Sequence, residues 1–261
     1  MFGRLLLILG MVWSPGLAAS GQTGAEVAPE AQRPVMRPEM PPTARPDIPA
    51  VGDQPFVEKP GVEPDPPAWQ ALTESDASYL SCLFGLTMLG VRYTRLDPLT
   101  SPEDRDCGIA RPLNVTALQP GVGIAGGAIM RCATVRQLAL WLRDEAVPVV
   151  RHLPGAPAIT GIVPGSTYQC RARVGDGGEK LSEHALGNAF DIAALKLSDG
   201  SELTISPRNG SGDMREAVQK AMRHGACLYF TTVLGPGSDA AHDDHLHFDI
   251  AARRGGWRIC D

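Results

Sequence analysis

Four of the six histidines in this 261-residue chain fall inside two short segments. The first runs Ser182-Glu183-His184-Ala185-Leu186-Gly187-Asn188-Ala189-Phe190-Asp191-Ile192, the second His242-Asp243-Asp244-His245-Leu246-His247-Phe248-Asp249. These are residue types that hold metals and move protons. A catalytic zinc takes three protein ligands from His, Asp and Glu and keeps a fourth position open for water. Residues two apart in a strand project to one face, so His245 and His247 are expected to point together. One of them can ligate while its neighbour faces the water. His184 and Asp191 are seven residues apart, and a straight strand would send them to opposite faces. Gly187 permits a turn between them, which would bring both to one site. Ala189 and Asp191 would then share one face of a short strand, with Asn188, Phe190 and Ile192 on the other. The expected result is a His–Asp–His set. Each of these residues alone could be a surface histidine or a solvated carboxylate; it is their concentration in two segments that favours a metal site. A non-haem iron oxygenase also uses two His and one carboxylate. Its usual triad has the carboxylate two residues after the first His, and the spacing from His184 to Asp191 argues against it.

The elements that must position these residues read as α+β: a small antiparallel sheet carrying the zinc site, flanked by helices and stapled by disulfides. Asp76 to Leu89 reads as a helix, with Leu80, Leu83, Phe84 and Met88 at helical spacing. Val91 to Thr94 could start a strand. Thr134 looks like the N-cap of a second helix, with Val135, Leu138, Trp141 and Leu142 on one face and Pro148 as its stop. Ala158 to Val174 reads as strand-rich, broken at Pro164-Gly165. Asp213 is expected to cap a third helix reaching about Ala226. Leu228 to Leu234 reads as a buried strand, Gly235-Pro236-Gly237 as a loop, and His245 to Ala251 as a strand.

Composition sets the setting. Residues 1–20 have the pattern of a cleaved secretory signal: a basic start at Arg4, an apolar run from Leu5 to Trp13, then Ala18, Ala19 and Ser20. No Cys follows that run closely, which disfavours a lipid anchor, and no later segment is apolar for long enough to cross a bilayer. Residues 21–68 read as a Pro-rich disordered linker, because twelve of the 23 prolines lie between Pro29 and Pro67. The folded domain is expected over 69–261. Six cysteines, with no Cys-x-x-Cys spacing, are expected to pair in an oxidising compartment, periplasmic or secreted. A net charge of -5 gives no reason to expect nucleic acid as a partner.

The two segments resemble the signature of the LAS metallopeptidases, which include D-Ala-D-Ala carboxypeptidases, murein endopeptidases and hedgehog-type domains. Ser182, His184, Gly187, Ala189 and Asp191 fill a Ser-x-His-x-x-Gly-x-Ala-x-Asp pattern; Asp244 stands three before His247, and His245-Leu246-His247 is a His-x-His. A closer resemblance is to bacterial extensin-like C-terminal domain proteins. It is carried by Tyr168 to Arg171, Ser182 to Ile192, Val233 to Pro236 and His242 to His247. The resemblance implies one Zn2+ held by His184, Asp191 and His247. It implies Asp244 as general base and His245 as oxyanion stabiliser or proton partner. It implies that Arg171 binds a substrate carboxylate as a fork, and that Ser182 contacts substrate or orients the His184 loop. Asp249 would fix the tautomer of a histidine. Carboxypeptidase members carry Glu where this chain has the shorter Asp244, so the identity of the base stays open. The expected function is zinc-dependent hydrolysis of peptide bonds in peptidoglycan stem peptides. The alternative is a catalytically silent zinc-binding envelope module.

Overall fold

A computed structural model describes residues 65–174, 180–208 and 210–261. The expected signal over 1–20, and all but the last residues of the expected linker over 21–68, lie outside that range. The helices are Ala68–Ala71 (α1), Asp76–Met88 (α2), Cys132–Trp141 (α3), Val147–Val150 (α4) and Met214–Ala226 (α5). The strands are Arg92–Arg95 (β1), Leu99–Thr100 (β2), Gly108–Ile109 (β3), Pro112–Gln119 (β4), Val122–Arg131 (β5), Ile159–Pro164 (β6), Ala189–Leu197 (β7), Glu202–Thr204 (β8), Thr232–Leu234 (β9), Leu246–Asp249 (β10) and Ile259–Cys260 (β11). This is a mixed α+β fold. Nine strands form one sheet in the order β1-β4-β5-β6-β7-β10-β9-β11, with β8 paired to β7. Its pairs are antiparallel except β5–β6 and β9–β11. The sheet is therefore larger than the small one expected. The difference comes mostly from the β4–β5 hairpin, which turns at Pro120-Gly121 with Gly121 at φ 84°.

Strand alternation divides the sheet into an apolar side and a site side. In β7 and β10, Phe190, Ile192, Leu246 and Phe248 point into the core. Phe248 stacks on Phe230 at 4.9 Å and meets Trp141 edge-on at 5.0 Å. The Trp141 indole N–H donates to the Met222 carbonyl, which ties α3 to α5. Each such aromatic contributes roughly 2–3 kcal/mol by burial.

Several boundaries differ from the sequence reading. In α2 the buried residues are Tyr79, Cys82 and Leu86, whereas Leu80, Phe84 and Met88 are 61%, 67% and 72% exposed. The Cys82–Cys132 disulfide turns the Cys82 face inward, and Arg95 and Arg111 cover the Tyr79 ring. Thr134 does not cap α3. The helix starts two residues earlier, and the Thr134 hydroxyl donates instead to the Gly187 carbonyl at 2.8 Å. Pro148 does not stop it either. A π-helical turn over Leu142–Ala146 leads into α4, and Pro148 falls in the first turn of that new segment, where its missing N–H costs little. The strand expected from Leu228 begins only at Thr232; Leu228 is 70% exposed in the turn that ends α5. Asp213 caps α5 as expected, accepting from the Glu216 N–H at 2.8 Å.

All six cysteines are paired: Cys82–Cys132, Cys107–Cys170 and Cys227–Cys260. Three disulfides fit an extracellular or periplasmic protein. Among the described residues no helix is long and apolar enough to cross a membrane.

Candidate metal centre

Asp191 and His247 face each other because β7 and β10 pair antiparallel with these two residues in register. The same register places Phe190 against Phe248 on the opposite face. His184 arrives from a different direction. A 3-10 turn over Glu183–Leu186 starts at Ser182, whose hydroxyl accepts from the His184 N–H at 3.4 Å. The turn ends at Gly187 in the left-handed region, φ 65°. A Cβ there would lie 2.3 Å from Ile109 Cδ1, so only glycine fits. The Gly187 carbonyl accepts from the Thr134 hydroxyl and the Arg131 N–H. Asn188 is held between Arg131 at 2.8 Å and Glu183 at 2.8 Å. The turn that the sequence required between His184 and Asp191 is therefore clamped from both sides.

Three ligand-type atoms converge. His184 Nε2 lies 3.2 Å from His247 Nδ1 and 3.3 Å from Asp191 Oδ1, and His247 Nδ1 lies 2.8 Å from the same oxygen. Ligands bound to zinc at about 2.0–2.1 Å stand about 3.3–3.4 Å apart at the corners of a tetrahedron. Two edges of the triangle match that figure, and the third, between His247 and Asp191, is at hydrogen-bond length and would open by about 0.5 Å around an ion. Each histidine also has its other nitrogen occupied. His184 Nδ1 donates to the Thr167 carbonyl at 2.7 Å, which leaves Nε2 with its lone pair toward the centre. His247 Nε2 lies 3.2 Å from Asp249 Oδ2, which favours a proton on that nitrogen and a lone pair on Nδ1 when a metal is bound. His184, Asp191 and His247 are thus the group that could hold a metal ion.

The charges are mutually perturbed. Burial pushes the Asp191 carboxyl up, but hydrogen bonds from His184 and His247 outweigh it and hold it well below the usual carboxylate range. Burial pushes His247 down, but Asp191 and Asp249 on its two nitrogens raise it to about 9. Asp249 is likewise lowered, because its bond to His247 outweighs burial.

A cleft of about 270 Å³ opens over this group. Arg171, Ser182, His242 and His245 line it beside the three ligand residues. His245 Nε2 lies 3.7 Å from Asp191 Oδ2, while its Nδ1 donates to Asp244 Oδ1 at 2.8 Å. Asp244 does not line the cleft: its side chain is 91% exposed and reaches the centre only through His245. The bond from His245 lowers the Asp244 carboxyl below its ordinary value. Arg171 donates to Gln169 Oε1 at 3.1 Å and has no acidic partner among the described residues. Tyr168, the other end of that motif, turns inward, with its hydroxyl enclosed and without a hydrogen-bond partner among the described residues.

Four contributors were not foreseen. The Thr167 carbonyl carries no side-chain signal, because any residue could supply it. Asp239 accepts from His242 Nδ1 at 2.8 Å, and an Asp three residues before a His was a readable hint. Thr232 and Arg253 enter the cleft wall from β9 and from the segment after β10. They are separated in sequence from both motifs.

The chain matches no curated protein and no solved structure. It does match one family model, over residues 80–261, a span that includes every residue of the centre. The chain therefore belongs to the extensin-like protein C-terminus family.

Proposed function

We propose that this domain is a zinc-dependent peptidase hydrolysing peptide bonds of cell-wall peptidoglycan, with the metal held by His184, Asp191 and His247. The observation that carries the reading is the near-tetrahedral triangle of His184 Nε2, His247 Nδ1 and Asp191 Oδ1 at the floor of an open cleft. Zinc bound there supplies a Lewis acid and brings the pKa of water down to about 7.

The chain's own groups do the rest. Asp244 accepts from His245 Nδ1, fixing the tautomer that leaves Nε2 basic and turned toward Asp191. His245 then takes the proton of the attacking water and returns it to the leaving amine. Asp244 acts through His245 and is a positioning residue. Arg171 offers its guanidinium to a substrate carboxylate. Ser182 holds the turn that carries His184. The substrate class rests on the likeness of both motifs to LAS metallopeptidases and on a fold stapled for an oxidising compartment.

The test is metal content of the purified protein, followed by muropeptide analysis of digested peptidoglycan, with His247→Ala, His245→Ala and Asp244→Ala beside the wild type. The reading expects one zinc per chain and shortened muropeptides. His247→Ala loses zinc and products. His245→Ala keeps zinc and loses products, and Asp244→Ala is slowed less. Zinc with no product from any wall preparation would leave a metal-stabilised binding module as the better account.

A further inference from the structure

Not every charge lining the cleft is paired. Arg173 pairs with Glu183 at 3.0 Å, His242 with Asp239 and His245 with Asp244. His247 lies between Asp191 and Asp249. Two cations of the lining have no acidic partner among the described residues: Arg171 and Arg253. Arg171 belongs to the segment after β6, whereas Arg253 follows β10 and stands against β9.

Arg253 is built in rather than waving from the surface. Its Nη2 donates to the hydroxyl of Thr232 at 2.6 Å, and Thr232 is itself buried in the cleft wall. Its Nε is enclosed with no hydrogen-bond partner, which carries a desolvation cost. Its Nη1 has no partner among the described residues, and the residue lines the cleft. A guanidinium fixed through Nη2 at the wall of a cleft is prepared for a planar anion.

We propose that Arg253 is a specificity-determining residue that binds a carboxylate of the substrate on the β9 side of the cleft, separately from Arg171. The inference rests on the peptidase reading and narrows it. The favoured substrate is a stem peptide with free carboxylates on both sides of the metal centre. Amidation of the carboxylate that meets Arg253 removes its charge and most of the recognition.

The experiment compares purified muropeptides with free and with amidated stem carboxylates, using wild type, Arg253→Gln and Arg253→Lys. Zinc content and thermal midpoint are measured on each variant, so that the loss of the bond to Thr232 is separated from the loss of substrate recognition. Wild type is expected to prefer the free form by roughly 10- to 100-fold in kcat/KM, the worth of one charged hydrogen-bonded pair. Arg253→Gln should abolish that preference, chiefly through KM, and Arg253→Lys should keep part of it. A preference that survives in Arg253→Gln overturns the assignment. If nothing is cut, the peptidase reading fails, and binding of the same two muropeptides to the zinc-loaded protein decides the matter. Tighter binding of the free form that disappears in Arg253→Gln sustains the Arg253 assignment; equal binding of the two forms, or none, overturns it.

Discussion

Asp249→Asn separates the electrostatics of the centre from its shape. In the wild type one oxygen of Asp249 accepts from His247 Nε2 at 3.2 Å and the other from the Ala251 N–H at 3.0 Å. Each oxygen thus has its own N–H donor, and the Thr231 hydroxyl stands 3.5 Å from the second oxygen. An amide offers one acceptor and one donor group. With its oxygen on Ala251, the new NH2 group faces His247 Nε2 and drives the ring proton to Nδ1, the atom aimed at Asp191 and His184. With the amide flipped, the NH2 group faces the Ala251 N–H inside a buried position. The metal-free protein can adopt the first arrangement by shifting the ring proton, but a metal on Nδ1 needs the proton on Nε2, and either orientation then sets one buried donor against another, at about 1–3 kcal/mol. That range agrees with the roughly 10- to 100-fold loss of affinity typical when the partner of a metal-bound histidine is removed. Competition against a chromophoric zinc chelator at neutral pH reads the affinity directly. Thermal unfolding of both proteins in excess chelator shows whether the fold is intact. The expectation is an affinity lowered about 10- to 100-fold in a folded variant. A folded Asp249→Asn protein that binds zinc as tightly as wild type would refute the tautomer argument and the assignment of His247 Nδ1 as the ligand atom.

Four further outcomes follow from the same geometry. His247 is raised to about 9, so at neutral pH a metal must displace its proton. Calorimetry in buffers of different ionisation heat should count about one proton released per zinc near neutrality; no release would oppose this coordination. In chelator, the raised pKa stabilises the fold fully below the ordinary 6.5 and less as pH climbs through about 9, so the unfolding midpoint should fall across that window. Gly187→Ala puts a Cβ 2.3 Å from Ile109 Cδ1 on a backbone with φ +65°, and should cost about 2–4 kcal/mol in denaturant unfolding while lowering zinc occupancy. Removing Cys107–Cys170 by a double Ser substitution opens a closure of 63 residues, for up to about 4 kcal/mol. It should also weaken zinc binding, because Thr167 lies three residues from Cys170 on the tethered segment; unchanged affinity would mean the strand contacts of Gly165 and Ser166 suffice.

What could be read in the sequence was whatever depends on a short period. Asp191 and His247 reach one face because strand side chains alternate, and the apolar neighbours of each fix which face that is. The turn at Gly187 was legible because seven residues of straight strand cannot bring His184 and Asp191 together. The β4–β5 hairpin was harder. Gly126 and Gly127, both with positive φ, interrupt the alternation of Val122, Ile124, Ala128 and Met130, and glycines of that kind read as loop. The buried face of α2 could not be read from hydrophobicity alone. Its most apolar stripe is exposed, and a disulfide and two arginines decide which side turns inward. The cleft wall was out of reach for another reason. Thr167 contributes a backbone carbonyl, and Arg253 becomes a cleft residue only once β9 and β10 are paired.

The centre therefore has two kinds of support, and they fail differently. Asp191 and His247 are set by the register of β7 against β10. A one-residue slip of β10 would turn His247 toward the core and expose Phe248. The packing of Phe248 on Trp141 and Phe230 opposes that slip, so the aromatic core on one face secures the ligand pair on the other. His184 has no such protection from the sheet. Its position depends on Ser182, Gly187 and the Arg131–Asn188–Glu183 chain of hydrogen bonds, all outside the aromatic core. Damage to the core should therefore cost the whole fold together with the metal. Damage to the His184 turn should weaken metal binding in a protein that otherwise keeps its sheet, because the Asp191–His247 pair remains in register without it.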